Sequence, residues 1–411
     1  MNDLLYLVHR IPYPPNKGDK IRSFHLLKAL ASKYRVHLGT FVDSPEDLRH
    51  VEAVSRYCAS CQVATINPLL RKLAALRGLW SGKALSETFY SHDGLARWCR
   101  DVLREQRIER IVVFSSSMAQ FVPAAASASS RSIMDFCDID SDKWRQYAAH
   151  RRGLSAWVYS REAALLERRE RQIAQDFDVS VFVSEREAAA FRAIAPESAD
   201  RVRSVPNGVD VDYFDPRQVH ERPAQCDVPY VVFTGAMDYW ANVEGVTWFV
   251  SAVWPLVRAR VPQARFLIVG SKPTDEVIAL GSQPGVVVTG AVPDVRPYLQ
   301  HARVAAAPLR VARGIQNKVL EAMAMERVVV ATESSVQGLD VRPPEDVLVS
   351  DRPEEFARSV ATALEAASAP RSAANRSYVT TRFHWTRNLD TFAALLEGGY
   401  VEAPPARATG S

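Results

Sequence analysis

Short β-branched runs alternate with longer stretches of helical period along almost the whole chain. No other feature constrains the fold as strongly. The runs in the first half are Leu4–Arg10, Arg35–Val42, Cys61–Ile66, Arg110–Ser115, Ser132–Phe136 and Val179–Ser184. After Pro206 they restart as Tyr230–Thr234, Arg265–Val269, Val286–Thr289, Val304–Ala307, Val328–Ala331 and Val347–Val349. Strands separated by helices in this way belong to parallel sheets covered on both faces. Two such series predict an α/β chain of two doubly wound, Rossmann-like domains. The 411 residues also exceed what one hydrophobic core usually organises.

The segment "VPNGVDVDYFDPRQVHERPAQCDVPY", Val205 to Tyr230, places the boundary. It is rich in Pro, Asn-Gly and Asp and has no helical period. The expected parts are a first domain over 1–205, a second over 206–384, a C-terminal helix over 385–400 and a disordered tail over 401–411. Ligands of open parallel sheets sit beyond the carboxyl ends of the strands. Two facing domains predict a central cleft as the site.

Composition narrows the class. Hydrophobic residues at 47% and charged residues at 24% describe a folded globular chain. A formal charge of +4 permits an anionic substrate or membrane surface and demands neither. It gives no ground for a nucleic-acid partner. No apolar run has the length of a membrane span. The start, "MNDLLYLVHRIPYPP", reads as a first strand and not as a signal peptide. Five sparse cysteines suit a reducing, cytoplasmic compartment. Cys58 and Cys61 form a lone C-x-x-C without a second ligand pair, so zinc is not expected there.

The second half holds the most informative stretch, "PLRVARGIQNKVLEAMAMERVVVAT". Gly314 permits a tight turn, and the free N–H groups of a helix starting beside Ile315 and Asn317 favour an anion. Lys318 adds a full positive charge suited to a diphosphate. Glu321, one turn on, can accept two hydrogen bonds from a ribose diol. The alternative at this spacing is an ion pair on the helix surface.

"NKVLEAMAMERVVVAT" resembles the donor-binding segment of the retaining GT-B glycosyltransferases of group 1, a GT4-like family. "VPNGVD" is similar to that family's interdomain motif, and "FTGAM", "FLIVGSKP" and "VAAAPLR" fall in its order. "HRIPYPPNKGDKIRSFHLL", "FSSSMAQFV" and "DIDSDKWRQYA" resemble, more narrowly, the sugar transferases of bacterial exosortase/PEP-CTERM exopolysaccharide systems. The resemblance implies transfer from a UDP- or GDP-linked sugar to a glycan or polyprenyl-linked acceptor. It implies retention of configuration and no cofactor or metal. Strand-end loops at Gly235, Gly270 and Gly290 are then expected around the nucleotide.

The chain departs from the family pattern in two places. The family often has two glutamates eight positions apart; Glu321 matches the second and Arg313 stands at the first. The family's Gly-Arg turn is here "TGAMDYW", with Ala236 at the arginine position. Arg313 is expected to restore the missing charge as a phosphate ligand and, with Lys318, to stabilise the leaving group.

In the first half, Pro12, Pro14 and Pro15 stiffen the loop after the first strand, and Asn16 and Gly18 allow positive backbone angles. A helix is expected from near Ile21. Lys17, Lys20 and Arg22 would place cations at its entrance, against the helix dipole, which suits an anionic ligand. Ser116, in "FSSSMAQ", can hydrogen-bond a sugar but cannot act as a base unaided. "MDFCDIDSDKW" offers Asp138 and Asp140 for acceptor hydroxyls, with Asp138 the candidate for a catalytic part, and Asp142 for a solvated cap. Lys143 and Ala149 occupy the Gly and Glu places of an EF-hand, which excludes that calcium loop.

"HRRGLSAWVYSREAALLERRERQIAQDF" reads as one long basic helix. Leu154, Trp157, Val158, Leu165 and Leu166 form an apolar side that faces either a core or a membrane surface. Glu162, Glu167 and Glu170 are expected in surface ion pairs. Contact with the inner face of the membrane is left open by this pattern. "GLWSGKA" is one residue short of a P-loop, and no G-x-G-x-x-G follows a strand, which argues against a dinucleotide oxidoreductase. A sugar-nucleotide epimerase on the same fold and a non-catalytic sugar-nucleotide-binding protein remain alternatives to the transferase.

Overall fold

The computed structural model describes residues 1–15, 18–67, 82–149, 151–312, 315–339, 341, 347–367 and 369–399. The chain divides into two units: Met1–Pro206 with the chain from Asn388 onward, and Asn207–Arg387. The expected tail over 401–411 lies outside the described residues.

The first unit is built on β1 (Asp3–Val8), β2 (Arg35–Val42), β3 (Ser60–Thr65), β4 (Ile108–Phe114), β5 (Arg131–Cys137), β6 (Val179–Phe182) and β7 (Val202–Ser204). All pair in parallel, in the order β3-β2-β1-β4-β5-β6-β7. The second unit has β8 (Tyr230–Thr234), β9 (Arg265–Val269), β10 (Val286–Gly290), β11 (Val304–Ala307), β12 (Val329–Ala331) and β13 (Leu348–Val349). These also pair in parallel, as β10-β9-β8-β11-β12-β13. Every run read from the sequence contains a strand. β7 was not anticipated, because three residues are too few to carry a period.

Both faces of each sheet are covered, which is why the strands are apolar throughout. Leu5 and Leu7 of β1 join Val113 and Phe136 in one cluster; Leu4, Tyr6 and Val8 join Val112 and Leu27 on the other face. In the second unit Val231 and Phe233 pack toward Phe249 and Phe266, while Tyr230 and Val232 pack toward Leu320 and Met323. The last helix, Trp385–Leu396, ends in the first unit, where Phe392, Leu395 and Leu396 complete the cluster around Leu27. Its first residue explains a glycine of the "PNGVD" motif. A Cβ on Gly208 would stand 2.5 Å from a ring carbon of Trp385 and 2.8 Å from its Cα.

The basic stretch after Ala149 forms one helix, Gly153–Asp176, as expected, and a separate helix precedes it. Asp140–Ala149 ends before Gly153, whose φ of 65° breaks the helix, and Gly153–Asp176 follows. Glu162 and Glu170 do not make surface ion pairs; both are fully buried. Glu162 accepts from the backbone N–H groups of Leu85 and Ser86, at the start of the Leu85–Tyr90 helix. Glu170 accepts from the N–H and hydroxyl of Ser141, at the start of Asp140–Ala149. A carboxylate at a helix N-terminus satisfies orphan donors and meets the positive end of the dipole. The ion pairs expected along this helix fall instead on Arg169 with Glu87, Arg171 with Glu197 and Arg145 with Glu167.

The helix after β1 begins at Gly18, earlier than expected, and runs to Ala31. This changes the reading of Lys20 and Arg22, which do not stand as free cations at a loop. Lys20 Nζ donates to both oxygens of Asp47 at 2.9 and 2.8 Å. Arg22 Nε donates to Asp135 Oδ2 at 2.7 Å and its Nη1 to the Val205 carbonyl at 2.9 Å. Lys20 is only 3% exposed, Arg22 2% and Asp135 not at all. The cations sit early in the helix because carboxylates of neighbouring elements meet them there. Removing one partner of such a buried pair leaves the other charge uncompensated. Arg22→Met is therefore expected to cost about 3–5 kcal/mol in urea unfolding, with nucleotide affinity of the folded fraction unchanged.

Candidate active site

Each sheet reverses its strand order once, between β1 and β4 in the first and between β8 and β11 in the second. At such a switch point the crossovers leave in opposite directions and open a crevice at the strands' carboxyl ends. Several of the described residues singled out in the sequence lie beside these two places.

In the second unit Lys318 and Glu321 lie on the helix Asn317–Ala324, which follows β11. Val319, Leu320, Ala322, Met323 and Ala324 are buried and press this helix on the sheet. Lys318 and Glu321 remain half-buried on the other side. Lys318 turns toward the end of β8, not toward the helix surface. Its Nζ donates to Asn242 Oδ1 at 2.5 Å and sits 4.6 Å from the centre of the Phe233 ring. Asn242 is held in turn by its Nδ2, which donates to the Ala236 carbonyl at 2.7 Å.

Glycine is needed where these loops converge. A Cβ on Gly235 would lie 2.8 Å from Asn242 Nδ2 and 3.4 Å from Lys318 Nζ. A Cβ on Gly270 would collide with the Gly235 carbonyl oxygen. Gly290 closes β10 with a φ of 69°. Gly235, Gly270 and Gly290 thus stand at the ends of three adjacent strands. Asn317 opens the helix, and its buried Oδ1 has no hydrogen-bond partner among the described residues. Ile315, expected beside the ligand, sends its side chain into the core and is 8% exposed, which leaves only its backbone for binding. Arg313 and Gly314 lie outside the described residues.

Desolvation sets the charge of the pair. Burial pulls the Lys318 ammonium down to about 7, against the opposing pull of Glu321. Burial likewise pushes the Glu321 carboxyl up to about 7, against the pull of Lys318. Both groups gain from an incoming partner that restores a polar shell.

In the first unit the ends of β1, β4 and β5 carry a second polar cluster. Ser116 is buried, and its hydroxyl donates to Asp140 Oδ2 at 2.8 Å, so two residues expected to meet the acceptor do come together. Asp138 is half-buried in the loop after β5, where its N–H donates to the Phe136 carbonyl. Asp142 accepts from Arg145 and Gln146 at the surface. Burial, then repulsion from Asp140, pushes the Glu170 carboxyl up to about 8, opposed by its bonds to Ser141. Asn16 and Lys17 lie outside the described residues.

Three groups here escaped the sequence reading. His9 follows β1, with Nε2 3.5 Å from Asp19 and its ring against Phe114 and Tyr90. Arg10 bridges Asp19 at 3.0 Å and Asp43 at 3.2 Å. In the second unit it was Asn242. His9 and Arg10 had a signal, since both stand just past a strand; Asn242 had none, since it is a lone amide in the first turn of a helix, between Ala241 and Val243.

Residues 228–366 match the family model described as glycosyl transferases group 1. The matched residues fall within the second unit. The solved structures extend the likeness over the whole chain. Sucrose-phosphate synthase from Thermosynechococcus elongatus superposes with a TM-score of 0.70 at 19% identity, covering 97% of this chain and 99% of its own. HepE of Anabaena, solved with UDP and glucose, gives 0.64 at 15% identity, with 97% and 100% covered. WaaG, a glycosyltransferase involved in lipopolysaccharide biosynthesis, gives 0.65 at 15%, with 96% and 100% covered. The fold of the chain is GT-B. No curated protein sequence matches it. Among the described residues no helix is long and apolar enough to cross a membrane.

The two titrations give this pair a pH signature. A diphosphate bound at Lys318 would need the ammonium charged, so its affinity would fall as pH rises through about 7. A ribose diol bound at Glu321 would be held best by the ionised carboxylate, so its affinity would fall as pH drops through about 7. UDP or GDP affinity, followed by calorimetry, is expected to peak near neutrality. Lys318→Arg should remove the alkaline limb and Glu321→Gln the acid limb.

Proposed function

We propose that the protein moves a hexosyl group from a nucleoside-diphosphate sugar to a glycan or polyprenyl-linked acceptor. The donor is UDP- or GDP-linked, and no metal or cofactor takes part. The observation that carries this reading is the half-buried Lys318 ammonium, held by Asn242 at the carboxyl end of β8, with Glu321 one turn away on the same helix. As the glycosidic bond breaks, negative charge grows on the departing diphosphate. A fixed ammonium in a water-poor notch stabilises that charge more than it stabilises the bound donor, and so lowers the barrier. Asn242 is a positioning residue, holding Lys318 along this line. Glu321 takes the ribose hydroxyls. Asn317, Gly235, Gly270 and Gly290 border the nucleotide, and Arg313 adds a phosphate contact. The complexes of HepE with UDP and with UDP-glucose support a uridine donor.

Ser116, Asp138 and Asp140 hold the acceptor hydroxyls, with Asp138 orienting the one that reacts. Retention of configuration and a place in exopolysaccharide synthesis follow the family likeness. Lys20 and Arg22 have no part in binding, since their charges are spent inside the fold.

The protein acts in the cytoplasm against the inner membrane surface. The helix Gly153–Asp176 presents Leu154 and Trp157, 77% and 56% exposed, directly after the exposed Arg151 and Arg152. Apolar side chains beside two cations suit an anionic lipid interface. Leu166 is buried, so the apolar side expected from the sequence splits between core and surface.

Three experiments test this. Thermal shift against UDP, GDP and their sugars should show stabilisation of about 2.7 kcal/mol at a hundred times the dissociation constant. With acceptor present, Lys318→Ala should lower the turnover number about 10²–10³-fold. Nucleotide release unaffected by acceptor, or donor isomerised without it, would refute transfer. In flotation assays the chain should bind vesicles rich in phosphatidylglycerol and not phosphatidylcholine vesicles, and Leu154→Asp with Trp157→Asp should abolish binding. Equal recovery of both proteins would refute the membrane contact.

A further inference from the structure

The helix Trp240–Trp248 has two polar sides with different surroundings. Asn242 faces Lys318. Trp240, Glu244, Thr247 and Trp248 recur at i, i+4, i+7 and i+8 and so share the opposite side. That side forms one wall of an open groove of about 650 Å³, which Thr274, Glu276 and Arg310 also line. Its volume could take a small organic ligand, and none of Lys318, Asn242, Gly235 and Glu321 lines it.

The chemistry of the walls selects the ligand. Trp240 is 45% exposed beside Tyr239, and Trp248 is half-buried with its ring edge-on to Phe356. These indoles offer flat apolar faces with a wet rim. Between them stand acceptors. Glu244 shares one oxygen with Arg310 at 3.5 Å, while its buried Oε2 has no hydrogen-bond partner among the described residues. Glu276 takes the Thr247 hydroxyl at 3.1 Å. Carboxylates outnumber the single cation, since Asp238 also lines the groove, so a phosphate or sulfate is disfavoured. Among the described residues no acidic group gathers into a metal-binding set. An apolar face plus hydroxyl donors, without negative charge, describes a pyranose ring. We propose that this groove binds a neutral saccharide chain, holding the growing or acceptor glycan at a place separate from the transfer site. Naming the chain as acceptor or product rests on the transferase reading; the binding itself does not.

The test uses the full chain saturated with UDP and neutral malto-, cello- and laminari-oligosaccharides from di- to hexasaccharide, read by tryptophan fluorescence and calorimetry. Binding is expected for at least one series and to strengthen with length. Trp240→Ala and Glu244→Gln should each weaken it about tenfold or more, with melting temperature and UDP affinity unchanged. The inference is overturned if no series binds at tens of millimolar, if binding survives both substitutions, or if UDP abolishes it. It is also overturned if oligolysine binds there and the saccharides do not, because the groove then serves a basic peptide. Loss of UDP affinity in Lys318→Ala tests the donor site independently, so failure of one reading is distinguishable from failure of the other.

Discussion

Parallel pairing is the constraint from which the rest follows. A parallel strand cannot be joined to its neighbour by a tight turn, so the chain must cross over the sheet and return. The crossovers cover both faces and bury the strands, so polar groups that must meet a ligand gather at the strand ends. At the carboxyl ends, where the strand order reverses, adjacent loops part. Lys318, Asn242 and Gly235 meet at one such opening; Ser116, Asp140 and His9 cluster at the other. The chemistry is therefore confined by topology before any residue is chosen.

Within that frame, dehydration does the tuning. An ammonium in water gains little from a phosphate, because water already solvates both. Lys318 is held by one amide oxygen and an aromatic face, which replace only part of a water shell. It is left with unspent attraction for an anion. Glu170 shows the same physics used structurally: burial beside Asp140 makes its proton hard to remove, and a helix start supplies the compensating donors.

The sequence told strands, sheets and the Lys318–Glu321 segment well because period and turn chemistry are local. It failed on Lys20 and Arg22 because their partners, Asp47 and Asp135, are distant in the chain. Two cations at a helix entrance look functional until the carboxylates opposite are known. The same blindness hid Glu162 and Glu170, whose spacing on a charged helix resembles surface pairing. Asn242 was invisible for the reverse reason: a single amide opposite the polar side of a short helix carries no period and matches no motif. The exposed Leu154 and Trp157 were legible as apolar but not as uncovered.

The Gly153–Asp176 helix works as a ruler. Glu162 and Glu170 lie on one face of it and lock onto two different helix starts. A substitution on its outer face leaves both locks in place. An inserted or deleted residue between them turns one carboxylate by about 100° relative to the other, and no sliding of the helix can then engage both. Evolution of this segment should proceed by exchange of residues at constant length.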